Sequence, residues 1–296
     1  MAFATWSELP ALSVDDRLAI PALADLGIAA EPAVWDDPAV QWSGYDAVVV
    51  RSCWDYYRRE AELRLWIARL EALGVPLWNP PALLRWNMNK HYLRDLETQG
   101  VPILPTVWLE RGERAVLADL LAANGWDQAV VKPTVSASAH ETWRISRAAA
   151  PDQQRRFEDL LARGGVMVQR FAEEIETAGE WSLLFFGGRF SHAVIKRPKP
   201  GDFRVQTEHG GVAEPAVPPP AVLDRASQVL AAVSGPWLYA RVDGCESHDG
   251  FRLMELEMLE PWLFFDHDPA APGRFAASLT ERMRQGDLHA QRRTAP

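Results

Sequence analysis

The 296-residue sequence predicts an α/β protein. Apolar β-rich runs alternate with patterns of helical period, Gly and Pro clusters punctuate them, and the closing runs alternate polar and apolar residues at period two. The first strand is expected at Ala2–Thr5. Ser13-Val14-Asp15-Asp16 has the form of a capping box opening a helix, although Pro21 falls inside that helical pattern. Residues 47–50 read as a buried strand running into Arg51-Ser52-Cys53-Trp54-Asp55. Over residues 59–74, Leu63, Trp66, Ile67, Leu70 and Leu73 recur at helical spacing, and 75–78 gives another short strand. Asn79-Pro80-Pro81 breaks the pattern and sets the first boundary. Helix is expected over 82–99, strand over 103–109, helix over 115–123, and strand over 128–132. A helix over 152–162 ends at Gly164-Gly165. Strands follow at 166–170, 180–186 and 189–197, the last two joined at Gly187-Gly188 as a hairpin. A helix over 221–233 leads to strands at 238–243 and 251–258, and 274–284 is the last helix. The expected division is an N-terminal open-sheet domain, 1–80, and two further lobes, 81–165 and 166–296.

Lys and Arg number 31 against 40 Asp and Glu, a net charge of -9, which speaks against broad binding to nucleic acid. No apolar run approaches the ~18 residues of a membrane span, and the N-terminus lacks the pattern of a secretory signal. Cys53 and Cys245 give neither a disulfide framework nor a CxxC pair. A cytoplasmic enzyme is the expectation.

The clearest chemical constellation is Leu238-Tyr239-Ala240-Arg241-Val242-Asp243 followed by Leu253-Met254-Glu255-Leu256-Glu257. Alternate side chains share a strand face, so Arg241 projects with Asp243, and Glu255 with Glu257. Three converging carboxylates repel unless a cation sits between them, and such hard oxygens suit Mg²⁺ or Mn²⁺. The other reading is a solvated polar face. Lys132 closes the strand Val130-Val131-Lys132-Pro133, and the small, hydroxyl-rich loop after it, with Ser136 and Ser138, offers N–H and O–H groups to phosphates. It is not a Walker A loop. Lys196, Arg197, Lys199 and Arg204 crowd one stretch, either an anion-binding edge or a solvated loop. Gln169-Arg170-Phe171 and Glu180 fit a flat base edge and sugar hydroxyls. Arg51, Ser52, Trp54 and Asp55 follow a strand's C-terminal end, where open sheets bind ligands. There Arg51 can clamp a carboxylate and Trp54 wall a pocket, or the group is a capped strand end. Glu260, Trp262 and Phe264 join that pocket, the two aromatics equally as core. No His pair has zinc spacing.

In this order the pieces resemble the ATP-grasp superfamily, in its glutathione-synthetase-like and ribosomal-protein glutamate ligase branch. The most specific parts are Gly201-Asp202-Phe203-Arg204 with His209-Gly210-Gly211, and Asp243…Glu255-x-Glu257. Arg51-Ser-x-Trp-Asp55, Trp86-Asn-x-x-Lys90 and Val135-Ser-Ala137 are also similar to the enzymes that close O-ureido-D-serine to D-cycloserine. The resemblance implies an ATP-grasp fold, with ATP and two Mg²⁺ (or Mn²⁺) as cofactors. It places Lys90 and Lys132 on the phosphates, Gln169, Arg170 and Phe171 at adenine, and Glu180 at ribose. Lys196 is expected at ATP, Arg204 on the transferring phosphate, and Asp243, Glu255 and Glu257 on the metal. Two departures stand out: the third metal ligand is commonly Asn, and the phosphate loop is commonly glycine-rich. The implied activity is ATP-dependent ligation of a small amino-acid-like or peptide-like carboxylate to a nucleophile through an acyl phosphate, including cyclisation. Arg204, Arg241 and Lys132 would stabilise the developing charge; Arg241 equally fits an ion-pair partner of Asp243. A small-molecule kinase and a nucleotide-binding module without turnover are the alternatives. The expected partners are the small-molecule carboxylate and its nucleophile, and a second copy in a homodimer.

Overall fold

The computed structural model describes residues 1–206 and 209–294, with side chains through residue 284. Residues 207–208 and 295–296, within the expected 166–296 lobe, lie outside the described residues. Three sheets organise the described chain. In the first, the parallel strands β1 (Ala2–Thr5), β2 (Glu31–Val34), β3 (Val48–Ser52) and β4 (Leu77–Trp78) lie in the order β2-β1-β3-β4. Helix α2 (Glu60–Ala72) buries Leu63, Trp66, Ile67 and Leu70 against it. Leu73, expected on the same face, is 46% exposed, because the helix stops at Ala72 and Gly74 turns the chain at φ 69°.

The helix expected from Ser13 starts differently. Ser13 Oγ does accept the Asp16 N–H at 3.0 Å, but the Asp16 carboxylate turns to Arg51 and Ser52 instead of closing the box. A 3-10 turn at Asp16–Leu18 therefore leads into a short α1 (Ala19–Ala24), in which Pro21 sits early enough to need no N–H partner.

The helix expected over 82–99 is two helices, α3 (Pro81–Asn87) and α4 (Tyr92–Thr98). The break has a local cause. Asn89 Oδ1 accepts the His91 N–H at 3.0 Å, and the Lys90 N–H goes to Thr134 O at 2.7 Å. The second sheet is antiparallel, with β5 (Thr106–Leu109), β6 (Gln128–Pro133), β7 (Trp143–Ser146) and β8 (Val166–Arg170) ordered β5-β8-β6-β7. One face packs on α5 (Leu117–Ala123) and α6 (Ala150–Arg163) through Leu117, Leu121, Phe157, Leu160 and Leu161. By the period-two rule, Lys132, Met167, Gln169 and Thr106 share the other face. A short α7 (Glu174–Thr177) follows.

The third sheet is antiparallel too. Its strands are β9 (Glu180–Phe186), β10 (Arg189–Arg197), β11 (Val212–Pro215), β12 (Tyr239–Ser247) and β13 (Gly250–Glu257), ordered β11-β10-β9-β12-β13. The hairpin at Gly187-Gly188 forms as expected. β12 runs past Asp243 because Gly244 admits a register shift: a Cβ there would lie 2.4 Å from Arg252 O. α8 (Pro220–Ala231) covers one face through Val222, Ala226 and Val229. α9 (Ala271–Thr294) wedges Phe275 between the first and third sheets, with Phe3 at 6.2 Å and Phe186 at 5.4 Å. Among the described residues no helix is long and apolar enough to cross a membrane.

The first sheet, α3 and the third sheet meet along the stretch that leaves β13. There Asn79 Nδ2 donates to Tyr239 O and Met258 O, both at 2.8 Å, and Asn79 Oδ1 accepts the Leu238 N–H at 2.6 Å. Asn87 does the same for Leu256 O and the Met258 N–H. Asn79→Ala would strand three buried backbone groups, each worth ~1–3 kcal/mol when unsatisfied. We expect a loss of about 4 kcal/mol, read from urea denaturation; a loss under ~1 kcal/mol would show the junction to be dispensable.

Candidate active site

The polar face of the third sheet meets Lys90, which pairs with Glu255 across the space between the sheets. Register places Asp243 opposite Glu255 and also opposite Ser182, Arg241 opposite Glu257, and Lys196 opposite Glu180. The expectation that Arg241, Asp243, Glu255 and Glu257 project together is met. Arg241 Nη2 reaches Asp243 Oδ2 at 2.9 Å and pairs with Glu257, and its Nη1 donates to Trp262 O at 3.0 Å. Lys196 Nζ lies 2.5 Å from Glu180 and 3.6 Å from Asp243. Ser182, a residue the sequence reading passed over, donates its hydroxyl to Asp243 Oδ1 at 2.5 Å. Its position two residues after Glu180 on a strand was the available signal.

Lysines arrive from the second sheet and the α3–α4 turn. Lys90 Nζ sits 3.0 Å from Glu255 Oε1 and donates to Ser136 O at 2.7 Å. Burial lowers the Lys132 ammonium's pKa, with Glu255 acting against this and Lys90 adding to it. Burial works against Glu255, but Lys90 and Lys132 hold it below the usual carboxylate range. Burial likewise opposes ionisation of Asp243, which Arg241 and Lys196 keep low. Glu257 is pushed up to about 7 by burial; Arg241 opposes this, while Glu255 and Asp243 add to it.

Among the described residues no three His, Cys, Asp or Glu side chains stand close enough to hold a metal by themselves, because the guanidinium of Arg241 and the ammonium groups of Lys90 and Lys196 lie between the carboxylates. The donor set still fits a hard divalent cation. It is all oxygen, and two carboxylates, Asp243 and Glu255, face each other across the β12–β13 ladder.

Other expected residues are placed as follows. Ser136 is buried, and its carbonyl accepts from both Lys90 and the Tyr56 hydroxyl at 3.2 Å. Ser138 is exposed, at φ 49°. Tyr56 is thus a second missed residue; a 3-10 turn at Tyr56–Arg58 carries it to the loop. Gln169 donates to Thr106 Oγ1 at 3.1 Å, and the Arg170 and Phe171 N–H groups go to Pro105 O and Gln128 O. The Phe171 ring meets Phe203 edge-on at 6.4 Å, with the Arg144 guanidinium 3.7 Å over its face.

Arg204, expected on the transferring phosphate, is held in a fork by Asp202, Nε at 3.1 Å and Nη2 at 2.9 Å. Two expectations need correction. The basic stretch is not one anion-binding edge: strand alternation turns Lys196 inward to Glu180 and Arg197 outward to Glu214 at 2.9 Å. Arg51, Ser52 and Asp55 do not line a pocket. Arg51 is 1% exposed, bound to Asp16 at 2.8 Å and donating to Pro261 O at 2.6 Å, with Nη1 unpartnered. Ser52 donates to Asp16 at 2.5 Å, and Asp55 accepts from Trp35 Nε1 at 3.0 Å. Trp54 alone of the four is half-exposed; its indole stacks on Trp262 at 5.8 Å and donates to Glu260 O at 3.2 Å. Glu260 is 9% exposed, and burial, then Glu257, push its carboxyl pKa well up.

Over 98% of both chains, the fold superposes on the crystal structure of D-alanine–D-alanine ligase from Bacillus anthracis, with TM-score 0.70 and 14% identity. A RimK domain ATP-grasp protein from Sphaerobacter thermophilus gives 0.69 at 18% identity, over 94% of this chain and 98% of that one. The fold is therefore ATP-grasp. The crystal structure of D-cycloserine synthetase DcsG matches at TM-score 0.87 and 31% identity, covering 95% of this chain and 99% of that one. The family described as D-cycloserine synthetase DcsG, N-terminal domain, matches residues 1–79. The cycloserine biosynthesis protein DcsG of Streptomyces lavendulae is 34% identical over 274 residues, 88% of this chain and 90% of that protein. The chain belongs to the D-cycloserine synthetase family and is an ATP-dependent ligase.

The Asp16–Arg51 pair has Asp15 beside it, which accepts the Leu263 and Phe265 N–H groups at 3.0 and 2.6 Å. Burial and then Asp16 push Asp15 up to about 7. Between about pH 4 and 7 the folded state then binds a proton that the unfolded chain has lost, so this carboxyl lowers stability as pH rises through that window. Asp15→Asn lacks the titration. From pH 4.5 to 7.5, urea melts are expected to show the wild type losing about 2–4 kcal/mol relative to the variant. A gap independent of pH rejects the assignment.

Proposed function

We propose that this enzyme activates a substrate carboxylate as an acyl phosphate and closes it with a nitrogen of the same molecule, converting an O-ureidoserine into cycloserine. The observation that carries the phosphoryl-transfer half is the charged cluster itself. Lysines from one antiparallel sheet and a neighbouring turn meet carboxylates and Arg241 on another, a set suited to positioning and charge neutralisation. The cyclisation half is supported by likeness to DcsG. On this reading residues 1–80, 81–165 and 166–296 form three units, with ATP between the last two.

The substrate carboxylate oxygen bonds to the γ-phosphorus as the bond to the β-bridging oxygen breaks, releasing ADP. The aminooxy nitrogen that carries the carbamoyl group then bonds to the acyl carbon, phosphate leaves as that nitrogen gives up its proton, and water hydrolyses the carbamoyl group to carbon dioxide and ammonia, leaving cycloserine. Lys90 and Lys132 hold the phosphates; Gln169, Arg170 and Phe171 frame adenine. Glu180 takes the ribose, exchanging its bond to Lys196, which turns to phosphate. Arg241 stabilises charge on the acyl centre, and Arg204 reaches the transferring phosphate on release from Asp202. Asp243, Glu255 and Glu257 would hold two Mg²⁺, which supply Lewis acidity at the β- and γ-phosphates. The ATP-grasp ligase PsnB, similar in fold at TM-score 0.65 and 14% identity, is complexed with minimal precursor, Mg and ADP in its structure, which supports Mg as the cation here. A cytoplasmic homodimer completes the reading.

The test supplies O-ureido-D-serine, ATP and Mg²⁺ and reads ADP release and product mass. Substrate-dependent ADP with a cyclised product is expected, and Glu255→Ala is expected to cut turnover at least about 100-fold. Accumulation of a stable phosphorylated product would make the enzyme a kinase, and full turnover by Glu255→Ala would remove the metal assignment.

A further inference from the structure

Glu260 differs from the other carboxyls of the cluster. Glu180 has Lys196, Asp243 has Arg241 and Ser182, Glu255 has Lys90, and Glu257 has Arg241. Glu260 is 9% exposed as a residue, and among the described residues no hydrogen bond or ion pair reaches its carboxyl, although its backbone carbonyl is held by Trp54. The cations in its electrostatic reach are Arg241, Lys90 and Arg51. Arg241 is spent on Asp243, Glu257 and Trp262 O, and Lys90 on Glu255 and Ser136 O. Arg51 is held by Asp16 and Pro261 O, and its unpartnered Nη1 makes no hydrogen bond to Glu260. The lining therefore carries five carboxyls, Glu180, Asp243, Glu255, Glu257 and Glu260, against four cations, Lys90, Lys132, Lys196 and Arg241.

A buried carboxylate without a partner is costly, so it marks a place for a cation brought from outside. The aromatic surroundings agree. Trp54 donates its indole N–H to Glu260 O at 3.2 Å and stacks on Trp262, two residues further along the chain from Glu260, with rings 5.8 Å apart and 21° from parallel. Both are half-exposed, and indole faces attract ammonium groups.

We propose that Glu260, together with the Trp54–Trp262 stack, is the subsite for the primary ammonium of the substrate, making the enzyme selective for amino acids over the corresponding des-amino carboxylic acids. The proposal rests on the ligase reading above and deepens it. The ammonium fills the missing positive charge, and a substrate anchored there keeps its carboxylate on the Arg241 side of Glu260.

The test is equilibrium binding, which needs no turnover. Wild type and Glu260→Gln, each with Mg²⁺ and a non-hydrolysable ATP analogue, are titrated with O-ureido-D-serine and with 3-(ureidooxy)propanoate, which lacks only the ammonium. Wild type is expected to prefer the amino acid by about 100-fold, and Glu260→Gln to lose that preference while binding the ATP analogue normally. Glu260→Asp, which keeps the charge, is expected to retain part of the preference and covers the case in which the amide variant does not fold. A wild type without the preference, or binding neither compound, overturns the proposal, as does a Glu260→Gln protein that keeps it. The two readings fail separately. ADP release driven equally by both compounds leaves the ligase standing without its ammonium subsite. Selective binding without ADP release leaves the subsite standing without ligation.

Discussion

A stretch of backbone with no strand beside it holds the molecule in register. From Met258 to Phe265 the chain leaves β13 and crosses the middle of the protein, where unpaired peptide groups are not tolerated. Side chains take the place of a neighbouring strand. Asn79 and Asn87 hold Met258, Tyr239 holds Leu259 O at 2.9 Å, and Trp54 holds Glu260 O. Arg51 holds Pro261, Arg241 holds Trp262, and Asp15 holds Leu263 and Phe265. His192 Nε2 closes the set on Leu263 O and Phe264 O at 2.9 and 3.1 Å. These partners come from all along the chain, so the line of peptide groups fixes the first sheet against the third. It also explains why Arg51 is unavailable to a substrate.

The polar face beside that line works by alternation of charge. Side chains at every second position of β9, β10, β12 and β13 put acids and bases on one wall, and Lys90 and Lys132 supply the opposite one. Glu180, Asp243, Glu255 and Glu257 are tolerated because a neighbouring cation offsets each of them, and Glu260 is the exception. The net charge of -9 accordingly says little about affinity for a polyphosphate, which meets local lysines and arginine rather than the average surface.

The fold class and the long strands were legible because period-two and period-3.6 patterns report on burial, and those strands are buried along one or both faces. The carboxylate face of β12 and β13 was legible for the same reason. β2 and β11 were not, since they are exposed edge strands whose sequences carry little alternation. β7 did carry it, with Trp143 and Ile145 buried between Arg144 and Ser146. The interruption at Lys90 escaped because it depends on Asn89 and on Thr134, far along the chain. The role of Arg51 escaped because a strand-end residue can turn to the crevice or back under the sheet, and only the position of Asp16 decides it. Ser182 followed from the alternation already used for Glu180; Tyr56 had no signal beyond its neighbourhood to Trp54.

The loop after β6 carries a further implication. Ser138, Ala139 and Glu141 all sit at positive φ, between 49° and 53°, where residues with a Cβ are strained by about 1–3 kcal/mol each. Contacts with the first sheet's lobe hold them there: Val135 and Ala137 pack on its core, and the Tyr57 and His140 rings meet at 4.7 Å. A glycine-rich loop at rest has no such tension and wanders. The docked conformation of this loop therefore depends on the grip of Tyr56 and Tyr57 rather than on the preference of its own backbone.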